Sequence, residues 1–243
     1  MGKVFAVTSG KGGVGKSTFS VGLGYAFCQK GKKVLLIDMD EGIRCLDLIL
    51  GVDKVAVFDL CDILMGKDIE DAVYTSDFAE GLHLIPAPAK TGMIDKIAFS
   101  HFAERVKELY DIVIFDFPAG VEMTLYSCLP KSTLFLTVAV PDPVSIRDAA
   151  VVGTALSKKG LRARLVINRF IYKQSRKFKI KNIDGIIDTT AIRLIGIVPE
   201  SEELTMLSLK HKLSRKGKAA KAYGRIADRL SGEQRLLPKM SRI

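Results

Sequence analysis

The chain has 243 residues, of which 48% are hydrophobic and 26% are charged, and its formal net charge is +10 at pH 7. This composition supplies enough apolar side chains to bury a sizeable core. Since no run of 18 or more apolar residues is present, a membrane-spanning helix is not expected.

The layout of the chain predicts a single domain over residues 1–243, with a short basic tail at about 232–243. No repeat, low-complexity block or linker rich in proline and glycine divides it. A strand-like run begins almost at the first residue, which leaves no room for a signal peptide. Four widely spaced cysteines without a C-x-x-C pair are typical of reduced thiols. We therefore expect a cytoplasmic protein.

The charge is distributed unevenly. Residues 1–120 contain 13 Lys and Arg against 17 Asp and Glu, whereas residues 121–243 contain 24 against 10. The excess is concentrated at 158–181 and 210–242. Such a basic half indicates an anionic partner such as DNA, a lipid surface or an acidic protein, or else a surface that only keeps the protein soluble.

The first predicted elements are a strand at Val4–Thr8 and a buried helix around Phe19–Phe27, joined by a glycine-rich loop. Gly10, Gly15 and Lys16, followed by a serine, complete the pattern G-x-x-x-x-G-K-[ST] in the strand–loop–helix context that it requires. Glycines let successive backbone N–H groups point into one concavity, and the start of the helix adds partial positive charge. The loop therefore predicts a phosphate site.

Two side chains of this loop have specific roles in the prediction. The Lys16 ammonium group can reach the β- and γ-phosphates, and the Ser17 hydroxyl group can ligate Mg²⁺. A second ammonium group, that of Lys11, lies beside Lys16 and suits a reach toward a nucleotide on a facing subunit. The residues expected to contact the nucleotide here are Gly10, Lys11, Gly12, Gly13, Val14, Gly15, Lys16, Ser17 and Thr18.

The rest of the chain alternates between strand-length apolar runs and helical patterns, which predicts an α/β fold with a mainly parallel central sheet and helices on both faces. The further strands are predicted at Val34–Asp38, Leu82–Ala87, Ile112–Phe117, Leu134–Val140, Leu165–Asn168 and Leu194–Val198. The further helices are predicted at Phe99–Leu109, Val144–Leu156, Glu202–Lys210 and about Gly217–Leu230.

Polar residues follow four of these strands, where open parallel sheets bind their ligands. Asp116 occupies the place at which phosphate-loop enzymes hold Mg²⁺, here through water. Asp38 and Asp40 are two residues apart in an extended segment, so one carboxylate can lie near Mg²⁺ while the other orients the attacking water. The remaining strand-end residues are Asn168, Arg169, Pro199 and Glu200.

Three motifs resemble those of the MinD/ParA ATPase family of P-loop NTPases. K-G-G-V-G-K-S-T resembles its deviant Walker A box, and D-F-P-A-G-V-E resembles its Walker B segment. D-M-D-E-G-I-R-C-L-D-L-I-L-G is similar to the family's switch I and is most like that of its MinD branch. Within it, Cys45 replaces the usual asparagine and Glu41 replaces a residue that is commonly apolar.

The resemblance implies ATP as substrate and Mg²⁺ as cofactor, and it assigns roles to individual residues. Lys11, Lys16 and Asp40 would be catalytic, with Asp40 orienting the attacking water. Ser17, Asp38 and Asp116 would hold the metal, the two carboxylates through water. Asn168 would bind adenine, with Arg169, Pro199 and Glu200 on the adenine side.

The resemblance also implies an ATP-dependent homodimer in which Lys11 crosses to the partner's nucleotide and Asp148 lies near the interface. The implied function is spatial positioning, of the cell-division septum, together with an activating or inhibitor protein of the division-site system. That would place the protein in the cytoplasm and peripherally on the inner face of the cell membrane.

The C-terminal segment departs from the family pattern and leaves alternatives open. The tail after Gly232 is short and contains Pro238, so it does not suit an amphipathic membrane helix, and contact with anionic membrane or DNA would be weak. A ParA-like protein that positions or segregates DNA is the first alternative. The second is a nucleotide-dependent scaffold with little turnover.

Overall fold

The computed structural model describes residues 2–172 and 183–238. They form an eight-stranded sheet with the order β3-β4-β2-β5-β1-β6-β7-β8. The only antiparallel pair among the described strands is β3 with β4, so the predicted mainly parallel sheet is confirmed. The strands are β1 (Lys3–Ser9), β2 (Val34–Asp38), β3 (Tyr74–Thr75), β4 (Leu82–Ile85), β5 (Ile112–Ala119), β6 (Leu134–Ala139), β7 (Arg162–Phe170) and β8 (Leu194–Pro199).

Helices cover both faces of the sheet. Consecutive residues of a strand point to opposite faces, and because both sets are apolar here, each face has to be buried. Phe5 and Val7 of β1 pack with α1 and α10, whereas Val4 and Ala6 pack with α4 and α6. The helices are α1 (Lys16–Cys28), α2 (Cys45–Leu50), α3 (Leu60–Leu64), α4 (Lys96–Leu109), α5 (Met123–Tyr126), α6 (Pro143–Lys158), α7 (Ile183–Thr190), α8 (Glu202–Thr205), α9 (Leu207–Lys210) and α10 (Lys218–Ser231), with a 3₁₀ turn at Ile69–Ala72.

Helix α1 is buried because it lies between the sheet and α10. Gly22 permits this close packing: a Cβ atom there would lie 2.4 Å from the ring of Tyr223. The phosphate loop is therefore continuous with two central elements, β1 and α1. Helix α10 ends at Gly232, whose φ of 100° is left-handed, as predicted for this glycine.

The prediction of one helix at Glu202–Lys210 is wrong. The segment forms two short helices, α8 and α9, because the chain turns at Met206 to reach α2. His211, with a φ of 44°, follows α9, and its Nδ1 atom lies 2.9 Å from the carbonyl oxygen of Ile49. The edge strand β3, which has only two residues, was not predicted.

Strand β5 contains a bulge where it passes the phosphate loop. Val7 pairs with Asp116, but Ser9 pairs with Ala119, so β5 carries one extra residue over this interval. The bulge accommodates Pro118, which has no N–H group for a ladder bond. Beyond it, the N–H group of Gly120 donates to the carbonyl oxygen of Ser9 over 2.8 Å.

The structure also bears on the state of the cysteines and on the expected absence of a membrane-spanning helix. All four cysteines carry free thiols. In the described part of the chain, no helix combines the length and the apolar character needed to cross a bilayer. Five of the ten basic residues of the segment 158–181, and the end of the tail at 239–243, lie outside the described residues. The single-domain organisation stays a prediction.

Candidate nucleotide-binding site

The phosphate loop curves between β1 and α1 as its glycines permit. Gly13 and Gly15 have φ angles of 77° and 86°, in the left-handed region that favours glycine. Helix α1 begins at Lys16, directly after Gly15, so its first N–H groups face the loop. The hydroxyl group of Ser9 donates to the carbonyl oxygen of Lys11 over 2.8 Å. The loop has the form of an anion cradle.

Helix α6 supports the loop from below. A Cβ atom on Gly10 would lie 2.5 Å from the backbone carbonyl group of Asp148, so only glycine fits at this contact. The Asp148 side chain is 26% exposed and lies 3.7 Å from the Arg147 guanidinium group. The structure therefore places Asp148 against the base of the phosphate loop, a contact that the sequence did not indicate.

Two buried carboxylates lie beneath the loop. Asp38 ends β2 and pairs in register with Asp116 of β5, and the two residues are 1% and 2% exposed. The Ser20 hydroxyl group donates to Asp116 Oδ1 over 2.8 Å. Sequence reasoning missed Ser20, because a lone serine on a buried helix carries no signal of its own.

Both oxygens of the Asp38 carboxylate accept backbone hydrogen bonds. The N–H group of Asp40 donates to Oδ1 and that of Leu46 donates to Oδ2, each over 3.0 Å. Asp38 thus joins the two ends of the segment that carries Asp40. Asp40 itself reaches the surface of the cleft described below.

The charged forms of Asp38, Asp116 and Asp40 are unfavourable in the absence of a cation. Burial raises the pKa of Asp38 to about 7, and the charge of Asp116 adds to this, while its two backbone hydrogen bonds oppose it. Burial also raises the pKa of Asp116, against the Ser17 hydrogen bond and the Lys16 charge. The pKa of Asp40 is raised by burial and lowered in part by Lys16. A divalent cation would compensate this charge.

Most of the predicted site residues line a cleft of about 660 Å³, which is within the range of small-molecule sites. Asp38, Asp116 and Gly10 are not among the residues that line it. A neighbouring cavity of about 420 Å³ contains Lys11 and Val14 and shares Gly12, Gly13, Arg169 and Glu200 with the cleft. The cleft is lined by Gly12, Gly13, Gly15, Lys16, Ser17, Thr18, Asp40, Ile43, Cys45, Ile49, Pro118, Ala119, Asn168, Arg169, Pro199, Glu200, Ser201, Leu204 and Thr205.

Asn168 connects the phosphate loop to the far end of the cleft. Its Nδ2 atom donates to the carbonyl oxygen of Val14 over 2.8 Å, and its side chain blocks any Cβ atom on Gly15 at 2.6 Å. Its Oδ1 atom is buried and has no partner among the described residues. Because a buried acceptor without a donor costs free energy, the site suits a ligand with an N–H group.

Arg169 and Glu200 form the boundary between the two cavities. Arg169 has a φ of 54°, which is strained for a residue with a side chain, and its Nε atom donates to Glu200 Oε2 over 2.7 Å. Both predicted strand ends, of β7 and β8, therefore meet at the cleft.

The cleft is also lined by residues that were not predicted from the sequence. Ile43, Cys45 and Ile49 come from the switch I segment, and Leu204 and Thr205 follow Glu200. Their nearness in sequence to predicted site residues was the available signal. A larger cavity of about 1270 Å³ lies elsewhere, near the end of α1, and is lined by none of the predicted site residues.

The fold and the cleft define a P-loop nucleotide-binding protein, and the comparisons with known proteins agree. The family model of the CobQ/CobB/MinD/ParA nucleotide binding domain matches residues 5–214. The chain therefore belongs to this family, as its motifs predicted.

Relatives that match nearly the whole chain carry the name septum site-determining protein MinD. That of Thermotoga maritima is 32% identical and is aligned over 96% of this chain and 89% of its own. A chain of the MinC:MinD cell division protein complex of Aquifex aeolicus has a TM-score of 0.88 and 33% identity, over 98% of both chains. MinD of Pyrococcus horikoshii, solved with Mg-ADP, has a TM-score of 0.81 and 26% identity, over 95% and 96%.

Proposed function

We propose that this protein is a MinD-like ATPase that binds ATP with Mg²⁺, dimerises, and hydrolyses ATP to ADP and phosphate to control placement of the division septum. The observation that carries the proposal is the convergence of the phosphate loop and four strand ends on one cleft. The names of its relatives supply the biological process, and the cleft supplies the chemistry.

The side chains at the cleft fit a magnesium nucleotide. The glycine loop offers N–H groups to phosphates, and the unpartnered Oδ1 atom of Asn168 suits the amino group of adenine. Ser17 lines the cleft and lowers the pKa of the buried Asp116 carboxyl group, which supports a metal site between these two residues. Ser17 would ligate Mg²⁺ directly, and Asp38 and Asp116 through water. The ion would neutralise charge on the phosphate oxygens.

The remaining groups would act by position and charge. Lys16, which begins α1, would place its ammonium group beside the β- and γ-phosphates. Asp40 lines the cleft and would orient the water that attacks the γ-phosphate. Arg169, Pro199 and Glu200 would enclose the adenine. Nothing in this assignment requires a covalent intermediate on the protein.

We assign the second ammonium group, that of Lys11, to the site of a partner subunit. Lys11 is exposed and lines the neighbouring cavity rather than the cleft that contains Lys16. From there it can extend outward to the phosphates of a facing copy. Asp148, packed under the same loop, would lie near that interface.

We propose a cytoplasmic protein that contacts the inner face of the membrane weakly. In the tail, Arg235 is tied to Asp228 over 2.9 Å, and Leu236 and Leu237 are 93% and 37% exposed. By analogy with the MinC:MinD complex, a division-site protein would be its partner. The complete chain would act as a single domain.

A DNA surface is the rival, because Lys210, Lys212, Arg215 and Lys216 form no ion pair with any residue that the structure describes. Sedimentation with anionic vesicles and gel shifts with duplex DNA, each with and without ATP, separate the two. Binding to DNA that requires ATP and weakens steeply with salt would favour the rival.

The test of the proposal combines turnover with oligomeric state. We expect wild-type protein to hydrolyse ATP with Mg²⁺ and to dimerise with ATP in light scattering. Lys11→Ala should retain some ATP binding but lose ATP-dependent dimerisation and most turnover. Asp40→Ala should bind ATP and remain dimeric without hydrolysing it. Absence of turnover in wild type, with every candidate partner added, would favour a scaffold instead.

A further inference from the structure

Glu41 follows the cleft residue Asp40 and makes a contact that the proposed mechanism does not use. Its carboxylate points away from the nucleotide cleft to the loop after β4. Oε2 accepts the N–H group of Gly92 over 3.0 Å, and Oε1 accepts that of Met93 over 2.9 Å. Both oxygens of one side chain thus hold two consecutive backbone amides.

A second contact joins the same two segments. The N–H group of Gly42 donates to the carbonyl oxygen of Pro88 over 2.9 Å. Gly42 has a φ of 82°, and a Cβ atom on it would lie 3.4 Å from Thr91 Cγ2. The segment that carries Asp40 is therefore attached to both ends of the loop 88–93.

The loop 88–93 is itself fixed on its other side. The N–H group of Ala89 donates to Asp59 Oδ2 over 3.3 Å, and Asp59 caps the start of α3 through Cys61 N. The Cys61 thiol lies 3.9 Å from the carbonyl oxygen of Met93. Glu41 is therefore attached to a supported loop rather than to a free one.

The backbone hydrogen bonds of Asp40 are all to residues within four positions of it in the chain. On its N-terminal side, its N–H group is held by Asp38. On its C-terminal side, its carbonyl oxygen accepts the N–H groups of Ile43 and Arg44 over 3.1 and 3.3 Å, which closes a turn. Glu41 follows Asp40 within that turn. Its side chain attaches the turn to the loop 88–93.

We propose that Glu41 is a positioning residue for hydrolysis, which holds the Asp40 carboxylate in the orientation needed to direct water by anchoring the switch I turn to the loop 88–93. This inference rests on the proposed ATPase function. Hydrogen bonds from backbone N–H groups to a carboxylate are stronger than neutral ones, so one side chain suffices for the anchor. An apolar residue at position 41 could not make it.

The expected effect is on turnover rather than on binding. ATP would contact the phosphate loop and Asn168, which Glu41 does not touch. Loss of the anchor would allow the turn to sample other conformations, and misplacement of a catalytic group lowers the rate steeply. We expect Glu41→Ala to lower kcat about tenfold while the Kd for ATP changes less than about twofold.

The experiment compares E41A and E41Q with E108A, which removes an equal charge from an exposed site on α4. Turnover, ATP affinity and hydrogen exchange of the peptide covering 88–94 are measured for each. The glutamine keeps one acceptor oxygen, so E41Q should recover part of the turnover and of the exchange protection. E108A should match wild type in all three.

Two failures are distinguishable. If wild type hydrolyses ATP and E41A has the same kcat and the same exchange at 88–94 as E108A, the anchor is refuted while the ATPase assignment stands. If wild type does not hydrolyse ATP, the ATPase assignment and the hydrolytic role both fall, and the exchange difference alone reports the contact. A loss of ATP affinity equal to the loss of kcat would also refute a positioning role.

Discussion

Asp38 and Asp116 lie opposite each other on adjacent parallel strands, at paired register positions of β2 and β5. Their partners differ: Asp38 accepts from two backbone N–H groups, whereas Asp116 accepts from the hydroxyl group of Ser20. Backbone donors cannot reverse their polarity, but a hydroxyl group can rotate and become an acceptor. The two carboxylates should therefore respond differently to the same substitution.

We expect Asp116→Asn to keep or raise the Tm of the nucleotide-free protein, because it removes a buried charge and its hydroxyl partners can accept from the new amide. Asp38→Asn also removes a buried charge, but its NH₂ group would face one of the two backbone N–H groups, so its Tm should be lower than that of Asp116→Asn. A change of about 1 kcal/mol corresponds to about 2–4 °C at this chain length. Thermal unfolding measures both, and equal Tm losses would contradict the distinction.

Ser20 should influence the metal through Asp116. Ser20→Ala removes a hydrogen bond to a buried carboxylate, so we expect the Mg²⁺ concentration for half-maximal ATP turnover to rise about tenfold, or about 1.4 kcal/mol. The control is Ser76→Ala, which removes another buried serine whose hydroxyl group donates to Leu50 over 3.0 Å. Titration of Mg²⁺ against activity should show no change for the control; a shared shift would indicate general destabilisation.

The contact between the phosphate loop and α6 can be tested with two neighbouring glycines. Gly10→Ala places a methyl group 2.5 Å from the Asp148 backbone, whereas a Cβ atom on Gly12 meets nothing within 4 Å. We expect Gly10→Ala to lose about 1–3 kcal/mol of stability from overpacking. Gly12→Ala should stay within about 1 °C of the wild-type Tm. Similar unfolding curves for the two variants would contradict the close contact.

The tail contact predicts a pH dependence of stability. Burial raises the pKa of Asp228, but the hydrogen bonds and charges of Lys30 and Arg235 outweigh it and leave the pKa below its ordinary value. The stabilisation is therefore present above about pH 4 and is lost as pH falls through the lowered pKa. Asp228→Asn should lower Tm at pH 7 and have little effect in strong acid. Glu233→Gln, at an exposed ion pair, is the control.

Much of the fold could be predicted because its signals are local. Runs such as Val34–Asp38 are apolar on consecutive residues, as strands buried on both faces must be, and that strand has the predicted bounds. The prediction of a single helix at Glu202–Lys210 failed because the break in that helix is set by a distant contact, between His211 and Ile49. A helical pattern cannot report where the chain must turn to reach another element.

In the candidate site, too, residues with a local sequence signal could be predicted and residues defined by distant contacts could not. Gly10 and Lys16 could be placed from the loop pattern, and Asn168 from its position at a strand end. Ser20 and the anchoring role of Glu41 could not, because each acts on a group that is remote in sequence. The glutamate at position 41 departs from the family pattern, but the partners of its side chain are visible only in three dimensions.

The bulge in β5 has a further consequence for how this protein can vary. The extra residue before Ala119 decides which side chains face the cleft and which face the core. A deletion there would turn Pro118 and Ala119 to the opposite sides of the strand, whatever residues were present. The length of this stretch should thus be less tolerant of change than its composition, and a one-residue insertion should be more damaging than a substitution.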